Sequence, residues 1–257
     1  LFENAWANFM QNNLNDTLGQ ILTVNSPFFK NDEWNPEAIV LRALTFFNLC
    51  EYNEVEKLLI TFENDHRAMV DEMRGFVKSY SSKEALKLAD QAWDTYFGKT
   101  EKIDTVLPKS LFGRILRNQD LAGIVRHLEV MDEEEALIEK QRAEWRDSVG
   151  TYLKKRIERD RQKYKKRAGR LFLRELARQA NKLQDLLTQS EIIRFEVVDA
   201  QRVDYAYKAQ HADIGEALGG LQLDFATSVE YIYWPFNGEF WADELGYYHY
   251  TEQGSCK

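Results

Sequence analysis

Proline is scarce in this chain, four among 257 residues, glycine is held to 13, and cysteine occurs only twice. So few turn-forming residues leave little room for tight turns and favour long regular elements, helices over sheet. Cys50 and Cys256 are far apart and match no metal-ligand or redox spacing of the C-x-x-C kind, so they read as no metal site and say little about compartment. No stretch approaches the roughly 18 to 20 consecutive apolar residues that a bilayer-crossing helix needs. Phosphate-binding loops, dinucleotide-binding glycine patterns, H-E-x-x-H and nucleophile-elbow serines are all missing. His66, His127, His211 and His249 fall on separate expected elements, so no catalytic constellation, metal site or cofactor is expected.

What is present is a chain that can fold. Apolar residues make up 44% and charged residues 30%, enough to bury a core under a well-solvated surface. The net charge of -8 argues against a general affinity for nucleic acid, which needs a basic surface. The sequence starts at Leu1 rather than methionine, which fits a processed precursor or a trimmed chain and leaves room for a removed signal peptide or lipid anchor.

Residues 36 to 66 read as a helical hairpin. Pro36 stands at the first helical position, and Ile39, Val40, Ala43, Leu44, Phe46 and Phe47 recur at helical spacing. Glu51 and Asn53 flank a turn, and Val55, Leu58, Leu59 and Phe62 mark the second helix. A weaker copy lies upstream: Ala5, Leu14, Thr17 and Ile21 align with Ala43, Tyr52, Val55 and Leu59 at a constant offset of 38 residues. Small Ala43, a helix end at Leu49-Cys50, Tyr52 after it and Val55 opening the next helix together resemble the tetratricopeptide repeat. Cys50 replaces that family's usual turn glycine, Val55 its usual alanine, and Arg67 sits where a proline is common. The family period is about 34 residues, so the resemblance implies a small insertion, placed at Ser26 to Trp34, and an array continuing upstream of Leu1. It further implies that Trp6, Phe9, Met10, Val40, Leu44, Phe47 and Asn48 occupy leading-helix positions lining a concave groove for an extended peptide or a partner helix, with Asn48 the best polar anchor. The bland alternative is that the apolar members simply pack on the next helix pair.

Further on, Ser81-Ser82-Lys83-Glu84 is a capping-box pattern for a helix through Tyr96. Pro108 should open a short helix through Arg117, and Asp120 should cap another to about Met131. Between Asp132 and about Gln210 no proline occurs and only Gly150 and Gly169 interrupt strong helix formers, which predicts one long coiled-coil-type helix or an antiparallel hairpin turning near Gly150 or Gln189-Ser190. Its apolar seam reads as Trp145, Val149, Tyr152, Ile157, Tyr164, Ala168, Leu171, Ala180, Leu183 and Leu187. Residues 154 to 170 hold ten basic against two acidic side chains, and Lys163, Lys165, Lys166, Arg167 and Arg170 are candidates for an anionic partner surface. Acidic Asp132-Glu133-Glu134-Glu135 would neutralise such a face if the helix folded back.

Composition changes after His211: Phe225 to Tyr250 holds ten aromatic residues in 26. Thr227, Val229, Tyr231 and Tyr233 alternate as in a strand, Asn237-Gly238 reads as a hairpin turn, and Tyr247, Tyr248 and Tyr250 favour a return strand. Trp234, Phe236, Phe240, Trp241 and Tyr247 form the candidate aromatic cluster, beside Glu239, Asp243 and Glu244. Carboxylates beside aromatic platforms suit glycoside binding or hydrolysis, whereas a local structural role is the simpler reading.

The expected protein is therefore mainly α. Tetratricopeptide-like hairpins of an α-solenoid fill 1–130, a charged coiled-coil helix or helical hairpin fills 131–210, and an aromatic cap with short strands fills 211–257. The expected role is a non-enzymatic scaffold for protein partners, including a second copy through the coiled coil, with no nucleic acid and no transmembrane segment. The repeats, charged helix and aromatic end from Trp234 to Tyr248 together also look like envelope-associated repeat proteins of gliding and predatory Gram-negative bacteria. That likeness implies a periplasmic or envelope-associated location and a motility or envelope assembly; a cytoplasmic location is the alternative. A carbohydrate-binding or hydrolytic module in the tail, or a helix binding an anionic surface, are the rival functions.

Overall fold

The structure is a computed structural model that describes residues 1–30, 34–79, 105–210, 238–250 and 254. Among these the protein is mainly helical: α1 (Phe2–Met10), α2 (Leu14–Val24), α3 (Pro27–Lys30), α4 (Glu37–Asn48), α5 (Tyr52–Lys78), α6 (Lys109–Leu116), α7 (Gln119–Glu139), α8 (Ala143–Trp145) and α9 (Thr151–Gln210). The capping-box helix expected from Ser81 and the strand expected from Thr227 lie outside the described residues. The chain divides into two compact units, the first formed by Leu1–Asn31, Asn35–His66 and Asp185–Lys257, the second by Asp32–Trp34 and Arg67–Gln184.

In the first unit α1, α2 and α4 pack on one another. Ala5, Ile21, Val24, Ala38 and Leu41 form their shared core, with Phe2, Trp6 and Phe9 laid against it. Ala5, Ala38 and Ala43 are fully buried, so small side chains sit where helix surfaces meet. The turns after α1 and α4 are built alike. Asn12 and Cys50 both take a left-handed backbone, φ 61 and φ 59. Asn12 N–H bonds the Phe9 carbonyl and Asn13 N–H the Asn8 carbonyl; Cys50 N–H bonds the Phe47 carbonyl and Glu51 N–H the Phe46 carbonyl. Each is a Schellman end, satisfying carbonyls the helix would leave orphaned, and the second reproduces the first 38 residues on. The buried residues follow the same offset: Thr17 and Val55 are 0% exposed, as are Ile21 and Leu59.

The unit is completed by the start of α5 and the end of α9. Glu63, itself buried, accepts from Ser190 Oγ at 3.1 Å and from Arg194 Nη1 at 3.1 and 3.3 Å. Leu186, Leu187, Ile193 and Val197 bury the adjoining face of α9.

The second unit contains an antiparallel pair, α7 and the start of α9. Lys154 pairs with Glu139, Arg161 with Asp132 at 2.9 Å and Glu135 at 2.6 Å, and Arg174 approaches Asp120 at 4.0 Å. Rising numbers on one helix meet falling numbers on the other, which is the register of a hairpin. Met131, Ile138 and Ile157 form its core with Leu128, Leu153 and Tyr164 against them. Exposed ion pairs contribute little each, so this apolar strip holds the pair and the charges set its register. Phe112 of α6 stacks on Phe172 with centroids 6.1 Å apart.

Several expectations are corrected here. The 132–210 segment takes the hairpin alternative, with its turn earlier than either expected place: α7 runs on to Glu139, Lys140 to Arg142 turn, α8 follows, and a π-helical turn over Arg146–Gly150 feeds α9. The fold-back therefore lies before Gly150, at residues with no breaker chemistry, because the burial of Ile138 against Ile157 sets it rather than local propensity. Asn118 caps α7, its side chain accepting from Asp120 N–H at 3.0 Å, so Asp120, the expected cap, is instead the residue whose N–H is capped. Trp145, Val149 and Tyr152 are exposed at 38%, 46% and 60%, whereas Ile157, Ala180, Leu183 and Leu187 of the expected seam are buried, together with Leu173, Leu176 and Ser190. No strand occurs among the described residues, and the expected return strand at Tyr247, Tyr248 and Tyr250 is irregular. Its backbone finds partners on α2 instead, as described below.

Candidate interaction surfaces

The seven expected groove residues separate by burial. Val40 is a core residue at 3% exposure. Trp6 and Phe9 are half-buried in an edge-to-face pair with centroids 5.8 Å apart. Phe47 makes a similar contact with Tyr52 at 5.8 Å, and Leu44 is half-buried. Met10, 78% exposed, and Asn48 end α1 and α4 at equivalent positions and reach solvent. Packing accounts for most of this set, and the helix ends are what remains open.

Of the basic candidates, Lys163 pairs with Asp160 at 3.1 Å, while Lys165, Lys166, Arg167 and Arg170 are exposed. Arg161, half-buried in the hairpin, pairs with the acidic run instead, through Asp132 and Glu135. Its hydrogen bonds to Glu135 and then Glu158 hold the guanidinium still further from losing its proton than usual.

In the aromatic segment, Phe240 packs edge-on against Tyr248 at 5.8 Å, and Trp241 N–H donates to the Tyr248 hydroxyl at 3.0 Å. The rings of Trp241 and Tyr247 are 57% and 76% exposed. Trp234 and Phe236 lie outside the described residues. Asp243 and Glu244 are exposed, and no group of residues able to hold a metal occurs among the described residues.

Three features escaped the sequence reading. Cys50 is disulfide-bonded. The C-terminal segment lies along α2: Gly246 N–H donates to Thr23 Oγ1 and the Gln20 side-chain amide donates to the Gly246 carbonyl, each at 3.1 Å. Lastly, α9 carries a second apolar row. Ile192, Phe195, Val198 and Tyr205 are 57%, 72%, 65% and 67% exposed, on the side away from buried Ile193 and Val197. Beside it a groove of about 270 Å³ is lined by Glu56, Glu191, Arg194, Phe195, Val198 and Gln201. The signal was present in the spacing of three, three and seven residues, masked by the acidic and basic residues interleaved with it.

No helix among the described residues is long and apolar enough to cross a membrane. In comparisons with known proteins, the chain matches no family model, no curated protein and no solved structure.

Proposed function

We propose that the chain is a non-enzymatic helical scaffold that holds protein partners in a multiprotein assembly. The observation that carries this reading is the exposed apolar row of α9, since large apolar side chains concentrated on one solvent face mark contact sites more often than chance exposure does. Two repeated hairpin turns support kinship with tetratricopeptide-type arrays, which serve as peptide and helix receptors. The disulfide at Cys50 favours an oxidising compartment and so an exported, envelope-associated assembly.

The test is cross-linking in native cells followed by capture of the chain. Phe195→Asp with Val198→Asp should remove cross-linked partners while helicity by circular dichroism is unchanged. A second pair, Phe47→Ala with Asn48→Ala, examines the hairpin surface separately. An unaltered partner set in both would sink the scaffold reading.

The exposed rings of Trp241 and Tyr247 favour a second reading, a carbohydrate-binding platform. Trp241→Ala should then release the protein from insoluble glycan; equal retention of both forms removes this reading.

A further inference from the structure

The path of the C-terminal segment is specific. Gly246, in a left-handed conformation at φ +91, is held by Thr23 and Gln20. The Tyr248 carbonyl then presses on α2 at Gly19, where a Cβ would stand 1.7 Å from its oxygen. His249 Nδ1 meets Asp16 Oδ1 at 2.9 Å. The segment leaves α2 for α4, where Arg42 Nη2 donates to the Tyr250 hydroxyl at 3.5 Å, and reaches Leu49, whose carbonyl oxygen would lie 3.2 Å from a Cβ on Gly254. Its described residues thus meet α2 between Thr23 and Asp16, and α4 at Arg42 and at Leu49, the residue before Cys50.

Cys50 is in a disulfide, and the sequence supplies one other cysteine, Cys256, two residues beyond Gly254. We propose that Cys50 and Cys256 are joined, and that this bond is a redox latch closing the C-terminal strap over α2 and α4. The contacts along the strap are a few hydrogen bonds and partly exposed rings, each a modest net contribution. A covalent tether at the far end limits the segment's freedom when it lifts, so it shifts that balance toward the closed state. A dithiol opens the latch in two exchanges. Its first thiolate attacks one cysteine sulfur, breaking the S–S bond and releasing the other cysteine, which takes up a proton; its second thiolate resolves the mixed disulfide. The dithiol ends as a cyclic disulfide, both cysteines as thiols, and its two protons pass to them. The surface uncovered comprises Asp16, Gly19, Gln20 and Thr23 of α2 and Arg42 of α4. This inference does not depend on the scaffold reading.

The experiment uses the full chain. Peptide mapping without reduction should yield one linked peptide containing Cys50 and Cys256. Amide exchange is then measured before and after reduction with dithiothreitol and alkylation, and in Cys256→Ser. Exchange over residues 246–250 should rise at least about tenfold in both, with α7 and the start of α9 unchanged. Should Cys256→Ser fold poorly, the reduced wild-type protein gives the same reading. Cys50 found unpaired or joined to a second chain overturns the pairing. Unchanged exchange at 246–250, or an equal rise throughout α7 and α9, overturns the latch.

Discussion

Glu63 of α5 and Arg194 of α9 meet at 3.1 Å, the carboxylate 9% and the guanidinium 38% exposed. A buried carboxylate needs every partner it has, and Ser190 supplies another. Glu63→Gln should therefore destabilise by about 1–3 kcal/mol, since it weakens one bidentate contact and leaves Arg194 with half a partner. Arg194→Met should cost less, because its site is partly solvated. Urea denaturation of both singles and the double variant measures the coupling between them.

The two faces of α9 should respond in opposite ways. Leu176 is 0% exposed and Leu183 1%, so truncating either to alanine leaves a cavity worth about 2–5 kcal/mol. Phe195→Ser, on the open face, should stay within about 0.5 kcal/mol of the parent and reduce any concentration-dependent association seen by sedimentation.

Arg161 joins Asp132, Glu135 and Glu158. Lysine keeps the charge and loses the planar fork, so Arg161→Lys should lower stability by about 0.5–1.5 kcal/mol. Raising sodium chloride from 0.05 to about 0.5 M should shrink that difference, since partners more than a third exposed are screened. A difference independent of salt would assign the effect to packing of the arginine stem.

His66 gives the fold a pH dependence. Burial holds its pKa below the ordinary value of 6.5, against the Phe62 carbonyl and Asp65, which favour the proton. Nδ1 lies 2.8 Å from the Phe62 carbonyl, so the neutral ring donates there. A lowered folded pKa means that the unfolded chain binds the proton first. Stability is then complete above about pH 6.5 and falls as pH drops from there toward the folded value. The urea midpoint should fall between pH 7.5 and 5.5, and His66→Gln should flatten that part of the profile.

Helical class, the first hairpins and the antiparallel option for the charged segment were legible because each rests on periodicity or on residues with fixed backbone roles. Pro36 and Pro108 directly precede α4 and α6, as their missing N–H and fixed φ lead one to expect. The turn at Lys140 was not legible, because no glycine or proline marks it. The early seam failed at Trp145 and Val149, which look like heptad positions only if the helix has already begun, since α9 begins at Thr151, and at Tyr152, which stands in its first turn at 60% exposure. Groove residues were overcounted for a related reason: an apolar side chain at a leading-helix position packs inward as readily as it lines a surface, and Val40 does so. The C-terminal segment read as a strand since alternating tyrosines suit one, yet Thr23 and Gln20 offered its Gly246 backbone an acceptor and a donor that no partner strand was needed to provide.

The left-handed turn that closes α4 repeats the one closing α1, with cysteine standing where asparagine stands in the first. The asparagine side chain suits that conformation, whereas cysteine there carries a penalty of about 1 kcal/mol. Cysteine at such a site is a poor choice unless its sulfur is occupied. A relative lacking the second cysteine would be better served by glycine or asparagine at position 50, so in descent the two sulfurs should be gained and lost as a pair, leaving the hairpins themselves intact.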